Sequence, residues 1–178
     1  MKLKAFALIF VLPVFFVSCG GAHDEHAHHT QNSPYSGEEK RAIKAISDDD
    51  IKNYLEGNGM GFAKAAELNG FPGPKHILEN ESNLGLSAEQ KKAVQDSFDK
   101  MQRQAIELGG QIVENEKQLD ALFGKSEITN ETLQTETRKI AELQGSLRNV
   151  HLQAHLEMKK ILSPEQVEKY NRLRGYKN

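Results

Sequence analysis

The stretch 86-LSAEQKKAVQDSFDKMQRQAIELGGQIVENEKQLDALF-123 decides the fold. Ser87 can accept from the N–H of the third helical residue, and Gln90 can bond back to Ser87, so Leu86–Gln90 reads as a capping box. Beyond it, Val94, Phe98, Met101, Ala105, Leu108, Ile112, Asn115, Leu119 and Leu122 recur at alternate spacings of four and three. That is a heptad seam held for about four heptads, and it predicts one helix to about Phe123. Gly109-Gly110 falls midway, costs about 1 kcal/mol per glycine against alanine, and predicts a bend. Asn115 reads as a register-setting polar position.

Gly124 to Thr129 forms the turn, and Thr129 caps a second helix over about residues 130–161. Its seam is Leu133, Glu136, Ile140, Leu143, Leu147, Val150, Ala154, Glu157 and Ile161, interrupted by the two glutamates. Leu162-Ser163-Pro164-Glu165-Gln166 repeats the helix-start pattern, with Pro164 at the first helical position. A last short helix carries Val167, Tyr170 and Leu173. If the turn centres near residue 126, residues whose numbers sum to about 252 lie opposite. The expected fold is all-α: a long antiparallel helical hairpin with short flanking helices. A lone pair of helices buries too little apolar surface to stand by itself. Either the short helices cover it or two hairpins pair as a homodimer.

Residues 38–85 supply the short helices. Ser36 with Glu39, and Ser47 with Asp50, fit capping boxes. Ile43, Ile46, Ile51, Tyr54 and Leu55 make apolar faces. Gly57-Asn58-Gly59-Met60-Gly61 breaks the helix, Phe62–Leu68 resumes it, and Pro74 opens another turn carrying His76.

The chain has 178 residues, 38% hydrophobic and 27% charged, which fits one ordinary domain. Lys+Arg 23 against Asp+Glu 25 gives a net charge of −2, which argues against a nucleic-acid binder. Aromatics at 7% with no Trp disfavour a β-rich core. A single cysteine excludes an intrachain disulfide and a cysteine zinc cage. There is no phosphate loop, GxSxG or HExxH, and the acidic pairs lie on solvated helix faces, so no enzymatic activity and no organic cofactor are expected. Lys2 and Lys4 followed by the apolar run Ala5–Val17, too short to span a bilayer, read as a secretion signal over residues 1–18. Residues 19–37 lack hydrophobic periodicity and read as a flexible tether. Within it, His23, His26, His28 and His29 lie among acidic residues, a tract that either captures transition metals weakly or is only solvated linker.

Phe16-Val17-Ser18-Cys19 resembles a bacterial lipobox. The resemblance implies cleavage before Cys19, attachment of diacylglycerol to its sulfur, and anchoring to a membrane of the cell envelope, inner or outer. The mature chain would carry 21 basic and 25 acidic groups, a net charge of −4. The pair Leu86-Ser-Ala-Glu-Gln90 and Leu162-Ser-Pro-Glu-Gln166, bracketing a helical hairpin, resembles the twin LTxxQ motifs of the Spy/CpxP group of periplasmic proteins, which includes CnrX-type heavy-metal sensors. That resemblance covers about 74–174. It implies an all-α, often dimeric, non-enzymatic envelope protein. One implied role is metal sensing or resistance, acting on a membrane-bound regulator. The other is ATP-independent chaperoning of unfolded envelope proteins.

His151, His155 and Met158 stand at i, i+4 and i+7, which puts them on one helical stripe. Two imidazoles and a thioether suit Cu, Ni, Co or Zn. The register places His151 opposite Met101 and His155 opposite Phe98, with Asp96 and Asp99 nearby. His76 arrives from a short connection at the same end. The candidate metal set is therefore His76, His151, His155, Met158, and one of Asp96, Asp99 or Met101. The CnrX-type pattern matches at Met158 but has Ala154 where that group has a histidine, so what the resemblance implies here is a rearranged site.

Overall fold

The computed structural model describes residues 33–176. Cys19, the tether histidines His23, His26, His28 and His29, and the signal segment lie outside them. Tyr35–Asn178 form one contact unit. Among the described residues there are seven α-helices and no strand. These are α1 (Asp48–Leu55), α2 (Lys64–Glu67), α3 (Pro74–Glu79), α4 (Glu81–Leu84), α5 (Ala88–Gly124), α6 (Asn130–Ile161) and α7 (Pro164–Leu173). The two long helices pack antiparallel along their length, α1 and α3 lie on α5, and α2 lies on α6.

The sequence caps define these boundaries. Ser87, Thr129 and Ser163 each accept from the N–H of the third helical residue, and that residue's side chain accepts from the cap in return. Ser47 accepts from Asp50 N, while its hydroxyl donates to the Asp50 carboxylate instead of the reciprocal bond forming. The box expected at Ser36 does not form. Gly37 sits there in a left-handed conformation before a single 3-10 turn, Glu38–Lys40. The hairpin turn closes with Glu127 N donating to Leu122 O and Ser126 N to Phe123 O, a Schellman arrangement. Ser126 takes the left-handed position at φ 58°, rather than Gly124.

The register is the expected one. Ser97 Oγ donates to Glu157 Oε2 at 2.5 Å, and Gln90 Nε2 donates to Ile161 O at 2.9 Å. The twin motifs then meet. Gln90 Nε2 donates to Gln166 Oε1 at 2.9 Å, and Gln166 Nε2 to Gln90 Oε1 at 3.1 Å. Gln166 Nε2 also reaches the carbonyl of Gly85 at 3.3 Å, at the end of α4. Each glutamine thus caps its own helix start and satisfies a carbonyl at the end of another helix, where such groups otherwise lack partners.

Two cores follow. One gathers Ile77, Leu84, Val94, Met158, Leu162, Val167 and Tyr170 at the open end of the hairpin. The other joins Tyr54 of α1 to Ala105, Ile112 and Leu147 midway. Ser97 is buried where the heptad placed Phe98, which is only partly buried and turns toward a cavity. α5 runs as one helix from Ala88 to Gly124, so Gly109-Gly110 do not interrupt it. Gly109 is instead a crossing point. A Cβ there would fall inside the Tyr54 carbonyl of α1, so only glycine allows the approach.

Candidate metal centre

α6 carries His151 and His155 one turn apart on its inner face. Antiparallel packing brings Met101 and Phe98 of α5 opposite them. Pro74 starts α3 and delivers His76, while Gly57-Asn58-Gly59 and Ala63 close the remaining side. These residues line one cavity of about 370 Å³. Four of the sequence-predicted donors, His76, Met101, His151 and His155, therefore share it.

His151 is 4% exposed and stacks on Phe62, with ring centroids 5.9 Å apart and planes 16° apart. Its Nε2 is buried without a hydrogen-bond partner. Burial holds its pKa below the ordinary histidine value, and repulsion from His155 adds to this. An orphaned buried nitrogen costs free energy unless something accepts its lone pair or its proton.

His155 Nδ1 stands 2.7 Å from Phe71 O. A carbonyl only accepts, so Nδ1 carries a proton in this geometry and Nε2 is the nitrogen left to face a ligand. The ring fits because residue 73 is glycine. A Cβ there would stand 3.0 Å from His155 Cε1 and 3.2 Å from Nε2.

Behind His155 lies a polar cluster that periodicity does not reveal. Glu67 Oε1 accepts from Tyr170 at 2.5 Å and from Tyr176 at 3.1 Å, and pairs with Arg174 Nε at 3.4 Å. Glu67 Oε2 is 3.7 Å from His155 Nδ1. Gly73 N donates to Tyr170 Oη at 3.4 Å. Burial, and then the Glu67 carboxylate, hold the Tyr170 phenol far above its usual range. The cluster ties α2, the 70–73 segment and α7 behind the imidazole, a common support for a histidine that binds metal through its other nitrogen. The sequence signal for it was weak: one glutamate in the short α2 helix and two tyrosines near the C-terminus.

The other predicted donors lie elsewhere. Met158 is fully buried among Ile77, Val94 and Tyr170 and does not line the cavity. At i+7 it is carried about one turn past His155, into the space that α3 fills. Asp99 accepts from Gln95 Nε2, and Asp96 pairs with Lys92. Neither lines the cavity, because the face of α5 presented there carries Phe98, Met101 and Gln102. His76 is partly exposed, with Nδ1 at 2.9 Å from Glu79 Oε2. Among the described residues, no group of three or more His, Cys, Asp or Glu is gathered closely enough to hold an ion. What the cavity offers is two buried imidazoles, a thioether, and a third imidazole at its edge. Such donors suit late transition metals.

Comparisons with curated proteins and with solved structures give no match. A family model described as heavy-metal resistance matches residues 65–169, a span that contains His76, Met101, His151, His155 and both LSxEQ segments. That span is more than half of the chain, and the protein belongs to the heavy-metal resistance family.

Proposed function

We propose that this is a lipid-anchored envelope protein that binds a transition-metal ion in metal sensing or resistance. The ion sits in the cavity between α3, α5 and α6. The observation that carries the reading is the buried, unpartnered Nε2 of His151 in a cavity shared with His155, Met101 and His76. Membership of the heavy-metal resistance family supports it. Anchoring is through Cys19, and His23, His26, His28 and His29 collect ions at low affinity. No helix among the described residues is long and apolar enough to cross a membrane, which is compatible with a lipid as the anchor.

The test is titration of the full chain in detergent with Cu(I), Cu²⁺, Ni²⁺, Co²⁺ and Zn²⁺. At least one ion should bind one-to-one, and the His151→Ala, His155→Ala double variant should lose that affinity about 100-fold or more. If no ion's affinity depends on these two residues, the reading fails.

A further inference from the structure

We infer that the cavity selects a soft monovalent ion, Cu(I), over divalent Zn²⁺, Ni²⁺ and Co²⁺; this rests on the metal-binding reading above. No aspartate or glutamate lines the cavity, and the one ionic side chain that does is the cationic Lys75. Glu67 lies outside the lining, on the Nδ1 side of His155; Arg174 and two tyrosine hydroxyls engage its Oε1, and its Oε2, buried without a hydrogen-bond partner, stands 3.7 Å from His155 Nδ1. Glu79 is outside the lining and is engaged by His76 Nδ1. The donors that remain, imidazole and thioether, bring no negative charge.

Moving an ion from water into such a site costs hydration energy that grows with the square of its charge, and no anionic ligand offsets it. Lys75 repels a dication twice as strongly as a monocation. Coordination number points the same way. Structural zinc takes four protein ligands drawn from thiolate, imidazole and carboxylate, whereas the lining gives only three such groups, one of them a partly exposed imidazole, and its remaining donor is a thioether. Cu(I) is satisfied by two or three donors, and a thioether favours it over harder ions. Met101, with only 9% of its surface exposed, is the thioether in the lining. Met158, the methionine on the histidine stripe, is taken up by the core.

The experiment uses the full chain in detergent with His23, His26, His28 and His29 each replaced by Ala, so that the tether does not compete. Cu(I) is supplied anaerobically as a chromophoric chelate, Ag⁺ serves as its redox-inert probe, and Zn²⁺, Ni²⁺ and Co²⁺ are titrated alongside. One Cu(I) per chain should leave the chelator, Ag⁺ should compete for it, and each dication should bind at least about 100-fold more weakly. Met101→Leu should weaken Cu(I) about ten-fold and change Zn²⁺ affinity much less. An unchanged helical circular-dichroism spectrum shows that this variant still folds. Tighter binding of any dication through His151 and His155 overturns the selectivity and leaves the metal-binding reading standing. Cu(I) affinity insensitive to Met101→Leu overturns the thioether's role. No ion dependent on His151 and His155 overturns both.

Discussion

The two ends of the hairpin are built from the same heptad pattern and reach different outcomes. At the open end, α3, α4 and α7 cover the long helices, so Val94 and Met158 are fully buried and the twin glutamines close the base. At the turn end, Leu119, Leu122 and Leu133 are only half-buried, and Phe123 is 55% exposed. There the segment before α1 lies against α5, and Lys44 reaches Asp120 at 3.2 Å. A seam therefore specifies which residues face the partner helix. How deeply they are buried depends on a third layer that the seam does not encode.

The largest expected effect tests this difference directly. Met158→Ala should destabilise the metal-free protein by about 2–5 kcal/mol, as large-to-small changes in closed cores do. Leu122→Ala at the turn end should cost about 1 kcal/mol or less, because little surface there is removed from water. Denaturant unfolding checks both, and equal losses would break the contrast. Next come the adjacent glycines. Gly109→Ala should cost about 1–3 kcal/mol, since α1 must move off the helix. Gly110→Ala, with open space around it, should gain up to about 1 kcal/mol. Thermal melts of the two variants should shift in opposite directions.

A smaller effect concerns the base. In a double-mutant cycle, Gln90→Ala and Gln166→Ala should show a coupling of about 1 kcal/mol, because each strands the other's amide. Zero coupling would reduce the twin motifs to separate helix caps. The smallest effect is with pH, and its sign differs between the ends. Burial holds the folded-state pKa of His151 below the ordinary histidine value of about 6.5, so the unfolded chain binds the extra proton. Stability is complete above about pH 6.5 and is lost as pH falls below it. Glu116, near the turn end, has its pKa raised by burial above 4.5. Its contribution is present below that value and is lost as pH rises through the folded pKa. In metal-free protein, His151→Gln should flatten the acid-side loss of stability. Glu116→Gln should stabilise slightly at neutral pH, an advantage that disappears by about pH 4.

Much of the fold was legible because caps and period are local. Ser87, Thr129 and Ser163 sit within three residues of the groups they satisfy, and the register followed from the turn and the seam. The meeting of His151 with Met101 came from that register. What was not legible depends on distant packing. Ser97 displaces Phe98 from the buried seam because a straight helix of 3.6 residues per turn drifts from a 3.5-residue repeat. Gly109 reads as a weak point in a helix until α1 is seen to cross it. Met158 reads as a ligand by spacing, but α3 arrives and claims it for the core. Glu67 acquires its partners only when α7 folds back over α2.

The unbroken course of α5 also makes it a lever. Met101, in the cavity wall, is 23 residues from Gly124 at the turn, about 35 Å along a rigid helix. A tilt of about five degrees at the cavity would carry the turn through about 3 Å. The exposed Phe123 at the far tip is where any such tilt would be largest.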